Sequence, residues 1–160
     1  MGTLSFIKEA GEKLFYHDAA AAAALSEDQL KTANARAADA IKSHVETHGL
    51  KATGLIVTYD GMTGTVTVYG IAPDQPTKEK IVLCCGNLKN VESVNDQMTA
   101  ADQSEPETQY YTVVKGDTLS KISKQYYGNP NQYNAIFEAN KPMLKTPELI
   151  YPGQVLRIPT

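Results

Sequence analysis

Three histidines, His17, His44 and His48, and two adjacent cysteines, Cys84 and Cys85, are the side chains of this 160-residue chain best suited to nucleophilic or metal chemistry. Their spacing argues against both. No Ser or Cys stands with a matched His and acid, and His44 with His48, one helical turn apart, lacks the glutamate of an HExxH zinc site. Neighbouring cysteines on a helix point in different directions and form no ordinary structural disulfide. With no His or further Cys at a ligand spacing, the pair reads as two reduced packing residues of a cytosolic protein, and the histidines as solvated helix residues. A phosphate loop is missing too, because Gly61 to Gly70 is a hairpin turn and strand end rather than GxxxxGK[ST]. The chain therefore reads as non-enzymatic. Backbone chemistry is what remains: Gly11, between two short helical pieces, predicts a turn with φ > 0 that faces carbonyl groups outward.

The elements that carry these residues divide the chain into an N-terminal arm and linker (1–25), a first domain (26–99), a linker (100–108) and a second domain (109–160). In the arm, Leu4, Ile7 and Leu14 with Phe6 and Phe15 are compatible with a short amphipathic helix broken near Ala10-Gly11, and the arm and linker are expected to pack on the first domain, with Phe6 and Phe15 as the anchors. His17-Asp18 and the alanines that follow read as a linker. Ser26-Glu27-Asp28-Gln29 is a capping box that opens a helix to about His48, closed by Gly49 and buried along Leu30, Ala33, Ala37, Ala40, Ile41 and Val45. Alternation over Leu55–Tyr59 and Thr65–Tyr69 predicts a hairpin. A helix over Lys78–Cys85, ended by Gly86-Asn87, and a strand over Val91–Met98 complete the order α-β-β-α-β. Thr99–Thr108 is polar and contains Pro106, as a linker would.

The second domain opens with a β-branched run, Tyr111–Val114, and Asp117 reads as the N-cap of a helix with Leu119, Ile122 and Tyr126 on one face. Gly128-Asn129-Pro130 stops it. A second helix carries Tyr133, Ile136, Phe137 and Asn140 and ends before Lys141-Pro142. Tyr151-Pro152-Gly153-Gln154 then turns the chain into a closing strand, Val155–Ile158. The order is β-α-α-β.

Composition narrows the functional classes. Apolar residues make up 42% and charged residues 21% of the chain, a soluble globular balance, and the net charge is −3. That charge, with no basic-aromatic clusters, excludes a nucleic-acid binder. Lys8, Glu9, Glu12 and Lys13 interrupt the stretch where a signal peptide needs an unbroken apolar core. Phe6 stands where a myristoylation motif requires Ser or Thr. No apolar run reaches the roughly 18 residues needed to cross a bilayer. A cytoplasmic protein with no membrane partner is expected.

Tyr111–Pro159 resembles the LysM family through Tyr111-Thr112-Val113, Gly116-Asp117-Thr118-Leu119, Ile122, Tyr127-Gly128, Ile136, Asn140, Ile150, Pro152-Gly153-Gln154, Leu156 and Ile158-Pro159. Residues 26–99 resemble the BON family through Val66-Thr67-Val68-Tyr69-Gly70, Lys80-Ile81, Gly86-Asn87-Leu88 and Val91-Glu92-Ser93-Val94-Asn95-Asp96. The expected fold class is therefore α+β, with two small domains. BON followed by LysM, with the opening Phe6–Leu14 and the ending Ile150–Pro159, is similar nearly end to end to a family of bacterial cytoplasmic potassium-binding proteins. That resemblance implies a monomer with BON–LysM contact that binds K⁺, with Rb⁺ or Cs⁺ as alternates, and becomes more compact. It also implies the ligands, the main-chain carbonyls of Ile7, Ala10 and Glu12 and of Gly86, Leu88 and Val91; Asn90 departs from the family, which has Gly there. The chemistry agrees, because a large, weakly hydrated monovalent cation is satisfied by neutral carbonyl dipoles, whereas Ca²⁺ sites recruit carboxylates and Mg²⁺ keeps its waters. The α-helix ending near Gly86 adds the negative end of its dipole. Two other readings are a glycan binder, taking N-acetylglucosamine polymers in a LysM groove at Gly116, Asp117, Thr118 and Leu119, and an adaptor with no ligand.

Overall fold

The computed structural model describes residues 2–7, 10–13 and 23–159. Helix α1 (Glu27–Thr47) begins at the predicted capping box, where the Ser26 hydroxyl accepts from Gln29 N and the Gln29 side chain accepts from Ser26 N. Its buried face is Ala37, Ala38, Ile41 and Val45. Strands β2 (Thr53–Asp60) and β3 (Thr65–Asp74) form an antiparallel hairpin with Asp60 opposite Thr65. Period-2 alternation puts Tyr59, Val66 and Val68 into the core and leaves Ile56 and Tyr69 outside. Asp74 caps helix α2 (Gln75–Gly86) by accepting from Thr77 N, and α2 returns the chain to strand β4 (Ser93–Asp102), parallel to β3. Ile81, Val82, Leu83, Cys84 and Cys85 are all buried, so the second half of α2 is apolar all round, while its first half buries the polar Gln75, Lys78 and Glu79. β4 runs through Asp102, so residues 100–102 belong to the sheet and the connection is shorter than the sequence suggests.

The N-terminal arm departs from its expected helix. Gly2–Ser5 is strand β1, antiparallel to β4, and the sheet order is β1-β4-β3-β2. Leu4 and Ile7 have a spacing compatible with a helical face, but β4 would otherwise present an unpaired edge, and tertiary pairing overrides so short a pattern. Of the two phenylalanines expected to anchor the arm, Phe6 is buried. The other, Phe15, lies outside the described residues, as do Leu14 and the first part of the linker, from His17 to Ala22.

In the C-terminal unit, strand β5 (Gln109–Thr112) pairs with β6 (Val155–Ile158), and helices α3 (Leu119–Tyr127) and α4 (Tyr133–Ala139) lie between them in sequence. The N-cap of α3 is Thr118, which accepts from Lys121 N, and not Asp117. Asp117 is engaged one residue earlier: its carboxylate accepts from the Tyr111 hydroxyl at 2.5 Å and from Val114 N at 3.0 Å. Gly128, at φ 70°, ends the helix in the left-handed conformation expected of it. Thr118→Ala is expected to cost about 1 kcal/mol in urea denaturation, the usual worth of such a cap; an unchanged midpoint would contradict the assignment.

The two units share a polar seam. β6 pairs with β5 along one edge only, and two asparagine side chains complete the other. Asn87 accepts from Val155 N and donates to Val155 O, both at 2.8 Å, while Asn140 accepts from Arg157 N at 2.8 Å and donates to Arg157 O at 2.9 Å. Each amide therefore replaces a neighbouring strand, which buried backbone groups need. Beside them Arg157 Nε donates to Glu79 Oε1 at 2.8 Å, with both side chains buried, and Glu79 also accepts from Gln75 Nε2 and from Thr108 N and Oγ1. Val155 belongs to the same apolar cluster as α1, α2 and the sheet.

Candidate functional site

The chain after α2 is shaped by the loss of its helical ladder. Asn87 closes α2, its N–H reaching Leu83 O, and Leu88 to Val91 then form a tight turn in which Val91 N donates to Leu88 O at 3.2 Å. Asn90 sits at φ 74°, a left-handed conformation that Asn tolerates better than other non-glycine residues, so the turn forms without a glycine there. Its carbonyl accepts from the buried Tyr59 hydroxyl at 2.9 Å.

The N-terminal segment meets this turn directly. Phe6 N donates to Glu92 O at 2.9 Å, and the Phe6 ring covers Gly86 so closely that a Cβ there would fall 2.0 Å from Phe6 Cζ. Ala10 N donates to Ile7 O at 3.0 Å, closing a short turn. Gly11 follows at φ 100°, where a Cβ would fall 2.5 Å from the Asn87 carbonyl oxygen, so the position demands glycine twice over. Glu12 forms an isolated parallel bridge with Leu88, and Lys89 N donates to Glu12 O at 2.9 Å. The stretches holding Ile7, Ala10 and Glu12 and holding Gly86, Leu88 and Val91 thus lie against each other. Among the described residues the carbonyls of Ile7, Glu12 and Leu88 each accept one backbone hydrogen bond outside the helices and strands, and a carbonyl oxygen carries two lone pairs.

A third turn completes the cluster, and sequence reasoning did not place it there. Gly153, at φ 90°, packs under the N-terminal turn: its Cβ would lie 2.6 Å from Ala10 Cβ and 3.2 Å from Ile7 Cβ. Tyr151 donates to the Asn87 carbonyl at 3.5 Å. Gln154 is buried, and among the described residues its Oε1 has no hydrogen-bond partner. A cleft of about 360 Å³ opens here, and Gly11, Glu12, Asn87, Tyr151 and Gln154 line it together with His44, His48 and Cys84. Pro152-Gly153-Gln154 is legible as a turn, but nothing local says which surface it faces.

The histidines correct the sequence reading. His44 and His48 are half-buried rather than fully solvated: the His44 side chain is only 13% exposed, and the two rings lie 4.5 Å apart. Their nearest reactive neighbour is Cys84, 4.0 Å from His48 Nδ1. Burial lowers the His44 pKa, with His48 adding to the effect and Glu12 opposing it. Burial also pushes the Cys84 thiol up to about 12, reinforced by Glu12, and raises Cys85 well above the usual thiol range. Both cysteines are free and buried.

On the far side of the C-terminal unit a groove of about 440 Å³ is lined by Asp117, Thr118, Leu119, Tyr133, Glu148 and Ile150. Of Gly116, Asp117, Thr118 and Leu119, the last three line this groove and Gly116 does not. Among the described residues no helix is long and apolar enough to cross a membrane.

Comparison with known proteins gives matches in both units. The BON domain family matches residues 33–102 and the LysM domain family residues 111–159. Over 159 residues the chain is 46% identical to the potassium binding protein Kbp of Escherichia coli, covering 99% of each chain. It is also 51% identical over 49 residues to an uncharacterized protein of Deinococcus radiodurans, a match covering 31% of this chain and 19% of that one.

Proposed function

The chain belongs to the family of the potassium binding protein Kbp, and from that premise we propose that it binds K⁺ through main-chain carbonyls of its N-terminal turn and of the turn after α2. The observation that carries the reading is the direct contact of those turns, with Glu12 bridged to Leu88 and Gly11 seated on the Asn87 carbonyl. Ile7, Ala10, Glu12, Gly86, Leu88 and Val91 supply the ring of oxygens, and Gln154 Oε1 stands nearby as an unpaired acceptor. Neutral dipoles suit a large monovalent cation, and the C-terminal end of α2 adds negative potential. K⁺ fastens residues 2–12 to the BON domain and, through Gly153 and Tyr151, both to the LysM domain, so the protein becomes more compact on binding. It acts in the cytosol as a monomeric K⁺ sensor or buffer and catalyses no reaction.

An ion that binds only the ordered state stabilises it by about 2.7 kcal/mol at a hundredfold excess over Kd. The melting temperature is therefore expected to rise with KCl and to rise much less with NaCl at equal ionic strength, since Na⁺ is smaller and holds its water more strongly. Identical melting curves in the two salts would refute the proposal. The groove at Asp117–Leu119 supports a second reading, binding of N-acetylglucosamine oligomers. Calorimetric titration of the full-length protein with chitin oligomers is expected to show no micromolar binding; a micromolar Kd would make the glycan the principal ligand.

A further inference from the structure

His44, His48 and Cys84 come from α1 and α2, 36 residues apart in sequence at their closest, yet each offers a ligand atom within 4.8 Å of the other two. His44, in the last turn of α1, and His48, its C-cap, are i,i+4, the spacing at which two imidazoles can share an ion. Cys84 is buried, and its Sγ faces His48 Nδ1 at 4.0 Å. The Glu12 carboxylate lies beside this cluster, with Oε2 at 3.9 Å from His44 Nε2, and its side chain is 67% exposed. The cluster opens onto the cleft of about 360 Å³, which gives an ion a route in.

We propose that His44, His48 and Cys84 form a site for a thiophilic divalent cation of the Zn²⁺ class, with Glu12 or a water as fourth ligand. Two nitrogens and a sulfur select such an ion over Mg²⁺, Ca²⁺ or K⁺, all of which prefer oxygen. Tetrahedral Zn²⁺ with N and S ligands needs ligand atoms about 3.3–3.6 Å apart, and side-chain rotation about an ångström inward closes the present spacing. His48 Nδ1 is 2.7 Å from the His44 carbonyl, and metal binding requires the ring to turn about Cβ–Cγ, which exchanges that hydrogen bond for a nitrogen lone pair directed at the ion. On binding, the Cys84 thiol gives its proton to solvent and the thiolate takes the metal. The ion would tie Glu12 to α1 and α2 from the side opposite the carbonyl ring, so the two sites share one residue by different atoms. The site does not rest on the K⁺ reading, and its test is run in K⁺-free buffer.

Co²⁺ added to the reduced full-length protein is expected to give a thiolate-to-cobalt charge-transfer band in the near ultraviolet, abolished by one equivalent of Zn²⁺. Cys84→Ala removes the band, and Cys85→Ala keeps it. Partners one shell removed from a metal are already worth about 10–100-fold in affinity, so His48→Gln, which loses a ligand, is expected to weaken Co²⁺ binding at least tenfold. Circular dichroism of each variant establishes that it is folded. No band in the unmodified protein, a band that survives Cys84→Ala, or an unchanged affinity in folded His48→Gln would overturn the proposal.

Discussion

Glu79→Ala is expected to lower the unfolding free energy by about 3–5 kcal/mol, because it leaves the Arg157 guanidinium buried without its partner. The side chains of Arg157 and Glu79 are only 5% and 3% exposed, so water cannot replace the lost carboxylate. Three further donors, Gln75 Nε2, Thr108 N and Thr108 Oγ1, lose their acceptor in the same substitution. Replacing Glu79 and Arg157 together by apolar residues of similar volume is expected to restore much of the loss, since desolvation then falls away with the pair. Acid should act in the same direction. Burial alone would raise the Glu79 pKa, but hydrogen bonds from Gln75, Thr108 and Arg157 outweigh it and hold the carboxyl below its usual range. A depressed folded-state pKa contributes stability that is present above the unfolded value, about 4.3, and is lost as pH falls through the folded value. Urea denaturation at pH 7 and at lower pH measures both effects, and Glu79→Gln should flatten the acid limb. A change below about 1 kcal/mol for Glu79→Ala would mean that the seam between the domains is solvated.

Deleting residues 2–12 is expected to remove all of the K⁺-dependent stabilisation, about 2.7 kcal/mol at a hundredfold excess over Kd. The deletion also takes away β1 and Phe6, so the melting temperature in NaCl falls as well; the diagnostic is the difference between salts, not the absolute value. Gly11→Ala makes the sharper test, because β1 and Phe6 remain. At φ 100°, with the Asn87 carbonyl oxygen 2.5 Å from the new Cβ, alanine must push the two turns apart. Glu12→Gln, by contrast, alters no main-chain oxygen and is expected to leave the KCl response nearly intact. A KCl-dependent rise that survives the deletion would remove the N-terminal turn from the site.

Where a signal is local, it is legible. The Ser26–Gln29 capping box, the Gly128 stop and β6 lie where the residue pattern puts them, and Gly11 has the positive φ its neighbours suggest. Asp117 and Thr118 show the limit of local reading: both can cap a helix, and Tyr111 decides between them by claiming the Asp117 carboxylate from the neighbouring strand. The arm escapes its helical pattern because four residues of strand have no stability of their own and depend on β4 for pairing. His44, His48 and Cys84 look unrelated in sequence because their proximity arises from α1 packing on α2. The same holds for Gly153 and Gln154, whose place beside Ala10 and Asn87 follows from the docking of one domain on the other.

The carbonyl ring is tested most directly by following the main-chain ¹³C carbonyl resonances of the full-length protein as KCl replaces NaCl at constant ionic strength. The expected result is a saturable shift concentrated at Ile7, Ala10, Glu12, Gly86, Leu88 and Val91, all following one binding curve, with LysM groove residues such as Thr118 and Leu119 unmoved. Small shifts spread over the chain with no saturation, or a saturable set centred away from those two turns, would contradict it.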